Sequence, residues 1–281
     1  MSVVPVSSRM QIKPLHPLFA AEVTGVDLTV PVSRDNFRAI WDAFNRFEVL
    51  VIRDQDFNDD TQIAFGKNFG PLETMEAHPA NNFKPGHIAV MTNLDANGNL
   101  LPLDDPGMLH RLRNEAWHTD SSFKPVAALC SMLHGRIVPP LGVGGNTDFA
   151  SARVAYAAYP DTRKAEFEGM TVIHRVAKPE DKNDPAYNAE QKKRLTVRHP
   201  LVRANPVNGL KNFYAGAHAQ HGCAQAVAAI HTREYIFKRD LGAVLKHWLG
   251  AERDAIDLYI ALLGGPGQVL VRGSVQMHSA R

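Results

Sequence analysis

His118 and Asp120 are separated by one residue in Trp117-His118-Thr119-Asp120, and on an extended backbone that spacing sends both side chains to the same side. An imidazole and a carboxylate so placed can grip one metal ion. His278 follows 160 residues after His118, as the distant third member of a two-histidine, one-carboxylate facial set. Such a set covers one face of a ferrous ion and leaves cis positions open for a cosubstrate and dioxygen. Thr147, within Gly144-Gly145-Asn146-Thr147-Asp148-Phe149, adds a hydroxyl between the two ends. Taken alone, a His-x-Asp pair is also an ordinary surface hydrogen-bonded pair, and Thr147 an ordinary turn residue after two glycines.

The elements that must position these residues are legible in part. Ser33 precedes Phe37, Ile40, Trp41, Phe44 and Phe47, a spacing of three and four that predicts an amphipathic helix with a serine N-cap. A buried strand over 49–53 follows directly. A second helix, roughly 59–68, buries Ile63 and Phe65 or Ala64 and stops at Gly70-Pro71, a residue tolerant of positive φ followed by one that cannot continue the ladder. Beyond this flank, β-branched or aromatic runs predict short strands over 87–92, 128–138, 171–176, 197–203, 212–217 and 268–271, with Asn208-Gly209 as a hairpin turn. Many short strands with few long helices favour a sandwich or jelly roll. Residues 178–194, polar and nearly without apolar anchors, read as a solvated, mobile loop.

Composition narrows the function classes. At 281 residues and 44% hydrophobic, the chain can bury a substantial core, and we read residues 1–281 as one domain. Basic and acidic residues nearly balance, 31 against 29, with no long block of one sign, so a nucleic-acid track is not expected. Two cysteines, Cys130 and Cys223, are too few for a disulfide framework and read as reduced thiols, which fits a cytoplasmic home. No apolar run reaches about 18 residues and the first ten lack a secretory pattern, so no membrane partner is expected and the protein is expected to be soluble.

Several strings recur in a fixed order: Leu15-His16-Pro17-Leu18-Phe19 with Gly25-Val26-Asp27-Leu28, Gln62-Ile63-Ala64-Phe65 into Phe69-Gly70-Pro71-Leu72-Glu73, Trp117 to Phe123, Ser131-Met132-Leu133, Val138-Pro139-Pro140, the Gly144 to Phe149 motif, Ala155-Tyr156, His199-Pro200-Leu201-Val202-Arg203, and Phe213 to His221. Together they resemble the taurine dioxygenase superfamily of Fe(II)/2-oxoglutarate-dependent dioxygenases, and within it the 2,4-dichlorophenoxyacetate/2-oxoglutarate dioxygenases. The resemblance covers roughly residues 15–221. It implies a mainly β chain with flanking helices (α+β), folded as a double-stranded β-helix, a jelly-roll variant. It implies Fe(II) held by His118, Asp120 and His278, with 2-oxoglutarate and O2 as cosubstrates. Thr147 matches the threonine that hydrogen-bonds the 2-oxoglutarate carboxylate. Decarboxylation of the oxo acid would be coupled to hydroxylation of a small carboxylate, and an aryloxyacetate hydroxylated beside its ether oxygen would collapse to a phenol and glyoxylate. His218 and His221 read either as contacts for the substrate carboxylate or as strand-end histidines, and Ser122 and His78 are further pocket candidates. A homo-oligomer stays open.

After residue 221 the likeness fades. His278 is taken as third ligand over His231 and His247 because its separation from His118 is close to the family's usual gap. The arginine that forms a bidentate pair with 2-oxoglutarate farther along has no counterpart at a matching position, since the sequence ends at Arg281; Arg272 and Arg281 are the substitutes at hand. The jelly roll is accordingly expected to be incomplete at its C-terminal end. Two alternatives follow: a taurine-type sulfonate dioxygenase, and a catalytically impaired relative serving as a binding or subunit-interaction protein.

Overall fold

A computed structural model describes residues 9–74, 86–90, 92, 94–95, 97–105, 117–136, 147–175, 196–216, 219–220, 258–261 and 269–273. In chain order the described strands are β1 (Gln11–Pro14), β2 (Ala21–Thr24), β3 (Val49–Ile52), β4 (Ser131–His134), β5 (Thr147–Ser151), β6 (Thr171–Arg175), β7 (Thr196–Pro200), β8 (Val202–Ala204), β9 (Lys211–Phe213), β10 (Ala219–Gln220), β11 (Leu258–Ala261) and β12 (Val269–Gly273). Strands and helices are mixed, in keeping with an α+β chain. Contacts gather the chain into two compact units, each drawn from separated parts of the sequence. The first takes its described residues from Met1–Leu72, Ser131–Val138 and Arg253–Ala261, the second from Glu73–Cys130, Pro139–Glu252 and Leu262–Arg281.

The first unit is a five-stranded sheet in the order β1-β2-β3-β11-β4, antiparallel except for the parallel β2–β3 pair. β3 lies inside that sheet and all four of its residues are buried, which is why Val49-Leu50-Val51-Ile52 is continuously apolar rather than alternating. Helix α1 (Arg34–Phe47) packs on β2 and β3. Ser33 caps it as expected, its hydroxyl accepting from the Asn36 amide at 3.2 Å, while Glu48 closes it in a left-handed conformation, φ 66°. Trp41 and Phe44 meet Phe69 edge-on or tilted, a geometry that suits the ring quadrupoles. Helix α2 (Asp59–Gly66) begins with a reciprocal capping box between Asn58 and Thr61. Its α geometry ends at Gly66, two residues short of the expected end, and tightens into a 3-10 turn over Lys67–Phe69 before Gly70 turns the chain at φ 129°. Phe65 is buried as expected, but Ala64 is exposed and Ile63 only half-buried. Gln62 is buried instead, its side-chain amide donating to the Met132 carbonyl at 3.4 Å.

In the second unit β6 lies between β7 and β10, β5 pairs with β12, and β8 pairs with β9. Its core gathers Trp117, Ala150, Tyr156, Tyr159, Phe167, Val172, Leu201 and Phe213. Phe213 sits at the centre of three edge-on ring contacts, with Tyr156, Tyr159 and Phe167 at 5.2, 5.5 and 5.1 Å between centroids. Two helices absent from the sequence expectation, Ala152–Ala157 and Asp161–Phe167, supply the Tyr156 and Phe167 rings, and the short connection between them supplies Tyr159. Ser151 caps the first of them, accepting from the Val154 amide at 3.1 Å.

Several expected strands are corrected. Residues 87–90 and 92 are irregular rather than a strand. The run over 197–203 is interrupted at Leu201, whose N–H donates to Met170 and whose carbonyl accepts from Tyr214; the ladder changes partner there, β7 pairing with β6 and β8 with β9. The run over 128–138 shortens to β4 and that over 212–217 to β9. Asn208-Gly209 does lie between paired strands, but within a longer loop over 205–210 closed by the Asn205 amide on the Leu210 carbonyl at 2.9 Å, with Gly209 at φ 72°. The loop expected over 178–194 lies outside the described residues. Among the described residues no helix is long and apolar enough to cross a membrane.

Candidate active site

The His-x-Asp pair converges. His118 Nε2 stands 3.4 Å from Asp120 Oδ1. The extended strand expected here is absent: His118 makes a single bridge contact and Asp120 opens a turn. Alternation nevertheless does the work the strand was meant to do. Trp117 and Thr119 are buried, Trp117 in the core of the second unit and Thr119 completely, which leaves the residues between and after them to share the other face. The His118 side chain is 11% exposed and that of Asp120 44%, so the imidazole is fixed by its surroundings while the carboxylate reaches solvent. Two donors each about 2.1 Å from one ion and at right angles around it stand about 3 Å apart, so the observed spacing suits neighbouring positions on one metal. Neutral imidazole with a hard carboxylate oxygen is also the donor chemistry a ferrous ion accepts. Among the described residues no group of three His, Cys, Asp or Glu side chains forms a complete metal site. The expected third ligand, His278, lies outside them.

Thr147 opens β5, and its ladder partner is Gly273 at the end of β12. The sequence predicts no strand over Thr147–Ser151, because the run is short and directly follows the turn-forming Gly144-Gly145. Ala150, three residues on, shares the hydrophobic cluster with Trp117, so one core supports both the residue before His118 and the strand that carries Thr147. Arg272 is the ladder partner of Asp148. Ser122 is fully buried, and its hydroxyl has no hydrogen-bond partner among the described residues. His78, His218, His221, His278 and Arg281 lie outside the described residues.

Residues outside the predicted ligand set hold the turn that follows Asp120. Ser121 sits at φ 54°, a left-handed conformation that costs a non-glycine residue on the order of 1 kcal/mol. Its hydroxyl donates to both carboxylate oxygens of Glu73, at 2.9 and 2.8 Å, and Lys124 pairs with the same carboxylate. The Lys124 amide closes the turn on the Ser121 carbonyl at 3.0 Å. The Lys124 carbonyl in turn accepts from His199 Nε2 at 3.2 Å. Both Glu73 and His199 belong to the motif strings of the sequence, which was the available signal; nothing local assigned them a partner.

His199 belongs to a buried aromatic group with His174 and Tyr214, ring centroids 5.0 to 5.3 Å apart. His174 Nε2 donates to the Tyr214 carbonyl at 3.2 Å, and the Arg203 guanidinium lies over the Tyr214 ring at 4.5 Å. Burial pushes the Tyr214 phenol up to about 12, against the opposing pull of Arg203. Burial, then the Arg203 charge, lowers His199 below the ordinary histidine value despite its bonds to carbonyls. Burial thus favours the neutral form of both His199 and Tyr214. Cys130, pushed up to about 12 by burial, is a packed thiol and not a nucleophile.

The sequence pattern of the taurine catabolism dioxygenase TauD, TfdA family matches residues 11–234. The chain is 37% identical over 214 residues, 74% of each sequence, to the alpha-ketoglutarate-dependent 2,4-dichlorophenoxyacetate dioxygenase of Cupriavidus pinatubonensis. It is 31% identical over 223 residues, 76% of this chain and 72% of the relative, to the (S)-phenoxypropionate/alpha-ketoglutarate-dioxygenase of Sphingobium herbicidovorans. The crystal structure of AAD-2 in complex with Mn(II) and N-oxalylglycine superposes with a TM-score of 0.71 at 28% identity, covering 96% of this chain and 92% of that one.

Proposed function

The chain belongs to the taurine catabolism dioxygenase TauD, TfdA family, and from that premise we propose that it hydroxylates an aryloxyalkanoate such as 2,4-dichlorophenoxyacetate. It is an enzyme, a dioxygenase that uses Fe(II), 2-oxoglutarate and O2. The observation that supports the site is the convergence of His118 and Asp120 to 3.4 Å; the substrate class rests on the similarity to two aryloxyalkanoate dioxygenases.

In this reading His118, Asp120 and His278 hold Fe(II), which when bound supplies the site for the 2-oxo acid and dioxygen and the oxidising power for a C–H bond. His118, largely shielded from solvent, fixes the orientation of the donor pair, and Asp120 contributes the anionic oxygen. Thr147 directs its hydroxyl to a carboxylate of 2-oxoglutarate and so fixes the angle at which that cosubstrate sits. Ser122, His218, His221 and His78 line the substrate pocket. One atom of O2 ends in succinate, released with CO2, and the other on the carbon between the ether oxygen and the carboxylate of the substrate. The resulting hemiacetal breaks its bond to the aryl oxygen, giving a phenol and glyoxylate. The same proposal includes the double-stranded β-helix and a single domain over residues 1–281, since both compact units are discontinuous in sequence and neither is a stretch that could be excised.

The test is turnover by purified protein with Fe(II), ascorbate and 2-oxoglutarate against a panel of aryloxyacetates, 2-aryloxypropionates and taurine. Succinate released in step with a phenol is the expected result. Succinate coupled to sulfite from taurine alone would replace the aryloxyalkanoate reading with a sulfonate one.

A further inference from the structure

We propose that Glu73 is a positioning residue for the metal pair, acting through Ser121. The inference rests on the reading of His118 and Asp120 as metal ligands. The chain leaves Asp120 through Ser121, which is 9% exposed and held at φ 54°. A serine holds that conformation at a cost that surrounding contacts must offset. Glu73, 48 residues earlier in the sequence, receives the Ser121 hydroxyl on both carboxylate oxygens and pairs with Lys124 at the other end of the same turn. One carboxylate thus clamps both ends of the turn. The clamp is itself anchored, because His87 Nδ1 donates to the Glu73 carbonyl at 3.0 Å. On the opposite side His199 fixes the Lys124 carbonyl.

An exposed ion pair by itself contributes little. Here the carboxylate sets the backbone conformation of the residue next to a metal ligand, and the orientation of a ligand is what such supporting contacts govern. Releasing Ser121 lets the turn relax toward negative φ and rotates the Asp120 peptide away from His118. A metal ion then meets two donors that no longer converge.

Titration of full-length protein with Mn(II), followed by calorimetry and by the electron paramagnetic resonance signal of the free ion, reads this directly without turnover. Wild type is expected to bind and Asp120→Ala to fail, which establishes the site. Glu73→Ala is then expected to weaken Mn(II) binding by about 10- to 100-fold, the range for contacts that orient a ligand, with the circular dichroism of the apo protein unchanged. Glu73→Gln, which keeps an acceptor for Ser121, is expected to lose less. The discriminating variant is Glu73→Ala with Ser121→Gly: glycine takes positive φ freely, so the double variant should recover most of the lost affinity. Wild-type affinity in Glu73→Ala, or a loss that glycine at 121 does not restore, overturns the positioning role while leaving the metal site intact. Absence of Mn(II) binding by wild type overturns the site and the inference together.

Discussion

Gly273 lies directly across the β-ladder from Thr147. The pairing brings a segment from near the end of the sequence alongside the strand whose first residue is the proposed cosubstrate anchor. Gly273 precedes His278, the proposed third metal ligand, by five positions in the sequence.

His278→Ala is expected to lower Mn(II) or Fe(II) affinity by more than about 100-fold, beyond the effect of supporting contacts. His231→Ala and His247→Ala should bind as wild type. Calorimetric titration of the three variants decides the assignment, and the reverse pattern would move the third ligand.

Asp120→Ala and Thr147→Ala should fail differently. The first removes a donor to the metal and is expected to abolish binding. The second removes one hydrogen bond to a charged group, worth about 1.5 to 3 kcal/mol, and should raise KM for 2-oxoglutarate roughly ten- to a hundredfold while leaving Mn(II) affinity unchanged. Equal losses in both assays would contradict the division of roles.

Phe213→Ala should be among the most destabilising single changes in the second unit. The ring is 1% exposed and meets Tyr156, Tyr159 and Phe167 edge-on, so its loss is expected to cost about 3 to 5 kcal/mol. Val207→Ala, at a position 55% exposed, should stay within about 0.5 kcal/mol of wild type. Urea denaturation compares the two.

Stability should fall as the solution is acidified below about pH 6.5. His199 is buried against His174, Tyr214, Arg203 and the Lys124 carbonyl, and its native value is lowered, by burial first. The unfolded chain therefore takes up the proton at a higher pH than the native one. The stabilisation that follows from keeping His199 neutral is complete above the unfolded value and is lost as pH falls through the lowered native value. His16 and His134 are lowered as well, burial again leading, and steepen the same trend. Urea midpoints at pH 7.5 and 5.5 should differ less for His199→Gln than for wild type; an identical drop would remove His199 from the account.

Local chemistry was legible where neighbours in sequence are neighbours in space. Ser33 capped α1 as its side chain dictates, Val49 to Ile52 formed a buried strand, and the one-residue spacing of His118 and Asp120 brought their donors together. Even there the mechanism shifted: a bridge and a turn, stabilised by burial of Trp117 and Thr119, stand in place of a strand. The helices Ala152–Ala157 and Asp161–Phe167 leave no clear signal in the sequence because each is under eight residues, too short for a helical period to stand out.

What the sequence determined by itself was the reaction class, through residue types at fixed short spacings and motif strings in a fixed order. Tertiary structure alone decided that the ladder breaks at Leu201, that β12 lies against β5, and that Glu73 reaches Ser121 across 48 residues. The physical reason is that a backbone amide or a carboxylate accepts any suitable partner that folding brings near. Side-chain period sets which face of a segment is buried, but which distant segment covers that face depends on closing long loops against many competing pairings, and no run of neighbouring residues encodes that choice.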